Sequence, residues 1–223
     1  MCFSAEADLV GGVVIGAIGI DVLRHVDGRL RYAPLASMPL LFAAHQLDEA
    51  FVWWWLHGDV PTGVGRVATW IYLLFAFVIL PTLVPIAILV LEPPGRRRAI
   101  ILPFVALGVI VSIILLAAMI RGPVNAELGS HYIAYSTDLR ADFLVVGLYV
   151  VATCGSLIFS GIRPIAVFGV VNLIVVALLA RATLDGFASL WCAWAAISSA
   201  AFALHLRFGP PRPVRLRPDA AAR

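Results

Sequence analysis

Residues 67–91 read VATWIYLLFAFVILPTLVPIAILVL, without one charged side chain. A bilayer core is about 30 Å thick, so a helix needs about 20 mostly apolar residues to cross it. This stretch meets that requirement, and six others resemble it: 5–23, 34–56, 99–120, 141–160, 164–181 and 184–206. Only Gly161 to Arg163 separate the fifth from the sixth. The run 164–206 is too long for one span, and Asp185-Gly186 supplies its polar break, so the sixth and seventh meet at Arg181–Asp185.

The composition agrees. The chain of 223 residues is 62% hydrophobic and 13% charged, where soluble domains carry about a quarter charged residues. The expected fold is all-α: a polytopic membrane protein forming a seven-transmembrane helix bundle over residues 1–208. A Pro- and Arg-rich tail, 209–223, is expected to be disordered. The N-terminus carries Glu6 and Asp8 and no basic residue, so the first apolar stretch reads as a retained helix rather than a cleaved signal peptide.

The 16 basic residues are all arginine. Arg24, Arg29, Arg31, Arg96 to Arg98, Arg163 and the five from Arg207 onward fall on one side of the seven spans. Arg66, Arg121, Arg140 and Arg181 fall on the other. The arginine-rich side is cytoplasmic, which puts the N-terminus outside, the C-terminus in the cytoplasm and the protein in the plasma (inner) membrane. This arginine pattern is a topological one, so the net charge of +3 does not point to nucleic acid. The lack of lysine excludes a retinal Schiff base. Cys2, Cys154 and Cys192 form no C-x-x-C pair, and Cys192 reads as a small hydrophobe.

An ionisable residue within a span is costly and marks function by default. The second span holds the densest group, His45-Gln46-Leu47-Asp48-Glu49 followed by Trp53-Trp54-Trp55. His45, Asp48 and Glu49 stand at i, i+3, i+4 and share one helical face. At about 1.5 Å per residue, His45 lies near mid-membrane and Glu49 in the outer half. A carboxyl in apolar surroundings favours its neutral form, and a neutral acid beside aromatic faces can protonate an alkene. Those faces then stabilise the carbocation. The blander readings are an interfacial aromatic belt for the tryptophans and a helix-joining hydrogen bond between His45 and Glu49.

Asp142, Asn172, Arg181 with Asp185, Trp191 and Trp194 could complete a site. The external loop 121–140, with Asn125, Glu127, His131, Tyr132, Tyr135 and Asp138, could lid a cavity. Pro81 and Pro85 are expected to kink the third span, and neighbouring helices to satisfy the freed carbonyls. Zinc wants three protein ligands in a catalytic site; with no H-E-x-x-H, no third ligand can be identified beside His45 and Glu49. No metal or other cofactor is expected.

Three stretches carry a resemblance: the opening Met-Cys-Phe-Ser-Ala, His45 to Trp53 (HQLDEAFVW), and Ser189 to Ala196 (SLWCAWAA). Together they resemble an uncharacterised bacterial membrane family with an M-C-F-S-A start, a Q-Q-L-x-E-G-x-x-W-like second helix and an S-x-W-C-F-F-A-A-like last helix. His45 stands where that family has Gln and Ala50 where it has Gly, and the third span lacks the family's His- and Trp-rich run. The likeness implies no reaction. By architecture alone the chain is also similar to small integral-membrane terpene cyclases, of the fungal meroterpenoid and drimentine-type indole sesquiterpene kinds. That resemblance implies metal-free protonation of a prenylated substrate, for example a farnesylated indole. Glu49 or Asp48 would be the acid, Asp185 a second acid and His45 their neighbour. Trp53, Trp54, Asp142, Asn172, Trp191 and Trp194 would surround the substrate. The alternative is a proton-coupled transporter or channel with a His45/Asp48/Glu49 relay. A metal-dependent hydrolase and an accessory subunit are the remaining readings.

Overall fold

The computed structural model describes residues 4–25, 30–129, 132–137, 142–182 and 187–208. The chain is mostly helical. Its long helices are α1 (Ala5–Arg24), α2 (Met38–His57), α3 (Thr62–Leu91), α4 (Arg96–Arg121), α5 (Asp142–Ile158), α6 (Arg163–Ala182) and α7 (Phe187–Phe208). Each falls on one of the seven stretches expected from the sequence. Three of them, Thr62–Leu91, Arg96–Arg121 and Arg163–Arg181, are long and apolar enough to cross a membrane; Phe143–Ile158 and Ser189–Ala201 are apolar but shorter. The outer surface is itself apolar: on α4, Ile113 is 61% and Ile120 68% exposed.

Two features depart from an all-helical expectation. The second helix begins at Met38 rather than 34, because Leu30–Tyr32 and Ala33–Ala36 form separate short turns ahead of it. The loop 121–140 contains an antiparallel hairpin, β1 (Asn125–Leu128) and β2 (Ile133–Ser136), with Asn125 opposite Ser136. Outside a helix, pairing two extended segments is the economical way to satisfy their backbone groups. The Asp185-Gly186 break falls within 183–186, outside the described residues, as do His131, Asp138 and the tail.

Small residues set the α1–α2 spacing. A Cβ on Gly12 would meet Leu47 at 2.8 Å, and one on Gly19 would meet the Leu40 backbone nitrogen at 2.9 Å, so only glycine lets these backbones approach so closely. Helix α2 ends in a left-handed Gly58 (φ 87°), whose N–H donates to Trp55 while that of Asp59 donates to Trp54.

Proline shapes α3. The stretch Leu74–Ile79 is π-helical, and the Leu80 N–H donates to Phe75, five residues back. The same step from Ala76 reaches Pro81, which has no N–H. The Tyr149 hydroxyl of α5 donates to that Ala76 carbonyl at 2.8 Å. Ser112 of α4 donates to the Val78 carbonyl at 2.6 Å and sits 2.9 Å from the Thr82 hydroxyl. Pro81 and Pro85 thus sit in a helix whose disturbed carbonyls are satisfied from α4 and α5. Gly108 of α4 lies directly on the Pro81 carbonyl, where a side chain would collide.

At the opposite end of α3, Glu92 is buried. Its Oε1 accepts from the Ser160 hydroxyl and the Gly161 N–H, both at 2.7 Å, tying the α3–α4 turn to the α5–α6 turn.

Tyr149→Phe should lower stability by about 1–3 kcal/mol, because it strands a buried carbonyl. Adding Pro81→Ala should recover much of that loss by restoring an N–H. Thermal unfolding of the single and double variants in detergent checks the coupling.

Candidate functional site

A cavity of about 390 Å³ lies between α2, α3, α5, α6 and α7, below the hairpin. Its wall is aliphatic and aromatic, with Phe42, Phe77, Tyr149, Phe168 and Trp191 among the rings. No Asp, Glu, His, Arg or Lys lines it among the described residues. The volume falls within the range of about 300–1,000 Å³ usual for small-molecule sites. The π-helical stretch of α3 contributes Ala76 and Phe77 to the wall, and Tyr149, which caps the Ala76 carbonyl, stands edge-on to Trp191 with centroids 5.1 Å apart.

Glu49 is fully buried beside this cavity, not on its surface. Three elements converge on its carboxyl. Ser189 of α7 donates to Oε1 at 2.8 Å, Tyr135 of β2 donates to the same oxygen at 3.5 Å, and Gln46 of α2 donates to Oε2 at 3.3 Å. Tyr135 also lines the cavity, so one residue meets both Glu49 and the empty space. It stacks on Tyr72 of α3 at 4.2 Å, and Tyr72 stacks on His45 at 4.0 Å.

The group expected on α2 is therefore only partly assembled. His45 is buried, but no hydrogen bond joins it to Glu49; neither ring nitrogen has a hydrogen-bond partner among the described residues. Its ring packs between Tyr72 and Phe75 instead. Asp48 is half-buried, with Oδ2 unpartnered among the described residues. Trp53 is buried against Ala50, Ala68 and the hairpin's Ile133, and stacks on His57; Trp54 stands edge-on to Phe51. Neither tryptophan lines the cavity.

Of the more distant candidates, Trp191 and Asn172 do line the cavity. Asn172 joins three helices: Nδ2 donates to the Cys154 sulfur of α5 at 3.3 Å, and Oδ1 accepts from Trp194 Nε1 of α7 at 2.9 Å. Trp194 thus holds Asn172 rather than facing the cavity. Asp142 opens α5, and its side chain, like Asp185, lies outside the described residues. Cys192 is buried on the cavity wall. Among the described residues no three His, Cys, Asp or Glu side chains gather as a metal site.

Sequence reasoning passed over Tyr72, Tyr149 and the fully buried Asp8 of α1. A hydroxylated ring inside an apolar stretch was the available sign for both tyrosines, since a buried phenol O–H needs a partner. What that partner is depends on helices distant in the chain.

The model of a family described as "Family of unknown function (DUF6629)" matches residues 1–215, and the chain belongs to that family. No curated protein and no solved structure matches it.

Tyr135→Ala should raise hydrogen exchange across Asn125–Ser136 by removing the ring that stacks on Tyr72. Tyr135→Phe should raise it far less, because the stack persists and only a long hydrogen bond is lost. Exchange mass spectrometry on the two variants measures the difference.

Proposed function

We propose that this family member is an inner-membrane protein with seven spans, its N-terminus outside, that binds a neutral prenylated molecule in the cavity and cyclises it after protonation. The observation that carries the reading is Tyr135, which lines the uncharged cavity and whose hydroxyl lies 3.5 Å from the buried acid Glu49.

The reaction balances without a cofactor. With Glu49 protonated, the hydrogen bond runs from its carboxyl O–H to the Tyr135 oxygen; Tyr135 then gives its own proton to a terminal alkene carbon and takes that of Glu49 in return. A C–H bond forms, the π bond breaks, and the cation appears on the more substituted carbon. The next double bond captures it and closes a ring. Loss of a proton from the last cation restores Glu49, so the product is an isomer of the substrate. The faces of Phe42, Phe77, Tyr149 and Trp191 offer the cation its counter-field, and the apolar wall keeps away water that would quench it. Asp48 is a neighbouring reserve acid, and Asp185 a candidate second one. A proton-coupled transporter or channel is the less supported reading, since a relay needs a hydrogen-bonded chain and His45 joins none among the described residues.

Detergent-purified protein should convert a member of a panel of linear farnesylated indoles to an isomer of unchanged mass and shifted retention. Glu49→Gln should cut the rate by about 10²-fold or more, as expected for loss of a general acid. Full activity in both Glu49→Gln and Asp48→Asn would remove the acid assignment. A folded wild-type protein inert to the whole panel would remove the cyclase.

A further inference from the structure

The cavity extends along the helix axes. Its lining runs from Val145 to Leu157 along α5 and from Ala76 to Ile88 along α3. Twelve residues of helix span about 18 Å. The two ends differ. Tyr135 and Ser136 of the hairpin line one; Ile88, Leu157 and Ile165, which pack into one cluster, line the other.

An extended chain advances roughly 1.2 Å per bond, judged from the span of an extended backbone, so about fifteen bonds fit in line. With no charged side chain on the described lining, a diphosphate or carboxylate head has nothing to neutralise it, and burying it would be costly. Ser198 and Ser199 offer a gentler contact. Their hydroxyls donate to Ala195 and Ala196 of their own helix, which leaves oxygen lone pairs to accept a bond. Ser198 lies nine residues beyond Ser189, the partner of Glu49, and so about 13 Å farther along α7.

Resting on the reading above that the occupant is prenylated, we propose that the cavity holds a single linear chain of about fifteen bonds lengthwise. One end lies at Tyr135 and the other against Leu157 and Ile165, which set the longest chain accepted, with Ser198 and Ser199 accepting a hydrogen bond from a small neutral head near that far end.

The test is binding, read by quenching of intrinsic tryptophan fluorescence in the purified full chain. The probes are geraniol, farnesol, geranylgeraniol and geranylfarnesol, with hexadecanol and farnesyl diphosphate as controls. Geranylgeraniol should bind best, by on the order of tenfold over its neighbours in the series. Leu157→Phe should move the optimum to farnesol, and Ile165→Ala should move it to geranylfarnesol. Equal affinity across the series would overturn the proposal, as would an unchanged order in both variants or diphosphate binding as tight as the best alcohol. Hexadecanol outcompeting geranylgeraniol would keep the length limit and transfer it to acyl chains, against the prenyl reading. The two proposals fail separately. Length-ordered binding without an isomer removes the cyclase and keeps the length limit, and an isomer without length order does the reverse.

Discussion

Every polar group that leaves a helix's own hydrogen-bond ladder in this bundle must find another protein group, because apolar surroundings supply no water. That constraint is sharpest at Pro81. The ring removes the donor that the π-helical register would bring to the Ala76 carbonyl, and Tyr149 fills the vacancy from α5. Ser112 of α4 also donates to the Val78 carbonyl, and Gly108 allows the close approach. Three helices are thereby locked at one level. The π turn there places Ala76 and Phe77, and the tyrosine that repairs it places its own ring, on the cavity wall. π-Turns are frequent at functional sites because they re-aim side chains.

A second locus has the same logic with a carboxyl in place of a carbonyl. Glu49 draws donors from α2, α7 and the hairpin, so a single buried side chain joins segments more than a hundred residues apart. The aromatic stack of Tyr135, Tyr72 and His45 runs beside it and holds the hairpin over the bundle. Close glycine contacts add to these polar points: Gly12 and Gly19 seat α1 on α2, Gly108 seats α4 on α3, and Gly169 seats α6 on α5. The polar contacts and these glycines together carry the discrimination between this arrangement of helices and others of equal hydrophobicity.

The proposed chemistry depends on keeping acid and substrate apart until the proton moves. Glu49 facing the cavity directly would add a polar oxygen to the wall and invite water. Set off the wall, it leaves the lining neutral while remaining one phenol away. An enclosure without charge also suits a migrating cation, since a fixed carboxylate on the wall would trap it at one carbon.

The sequence by itself determined the helices. Long uncharged runs such as 67–91 satisfy their backbone readily as helices, and the acids of α2 were visible because charge within so apolar a stretch is rare. It also marked Asn172 and Trp191, which do reach the cavity. Only the tertiary structure decided that Trp53, Trp54 and His45 turn elsewhere, that Trp194 steadies Asn172, and that Tyr135 and Tyr149 line the wall. Helical periodicity states which residues share a face but not which helix that face meets. The donor to Glu49 comes from residue 189 and the donor to Ala76 from residue 149. Such pairings follow from the packing of whole helices, to which no local pattern of residues corresponds.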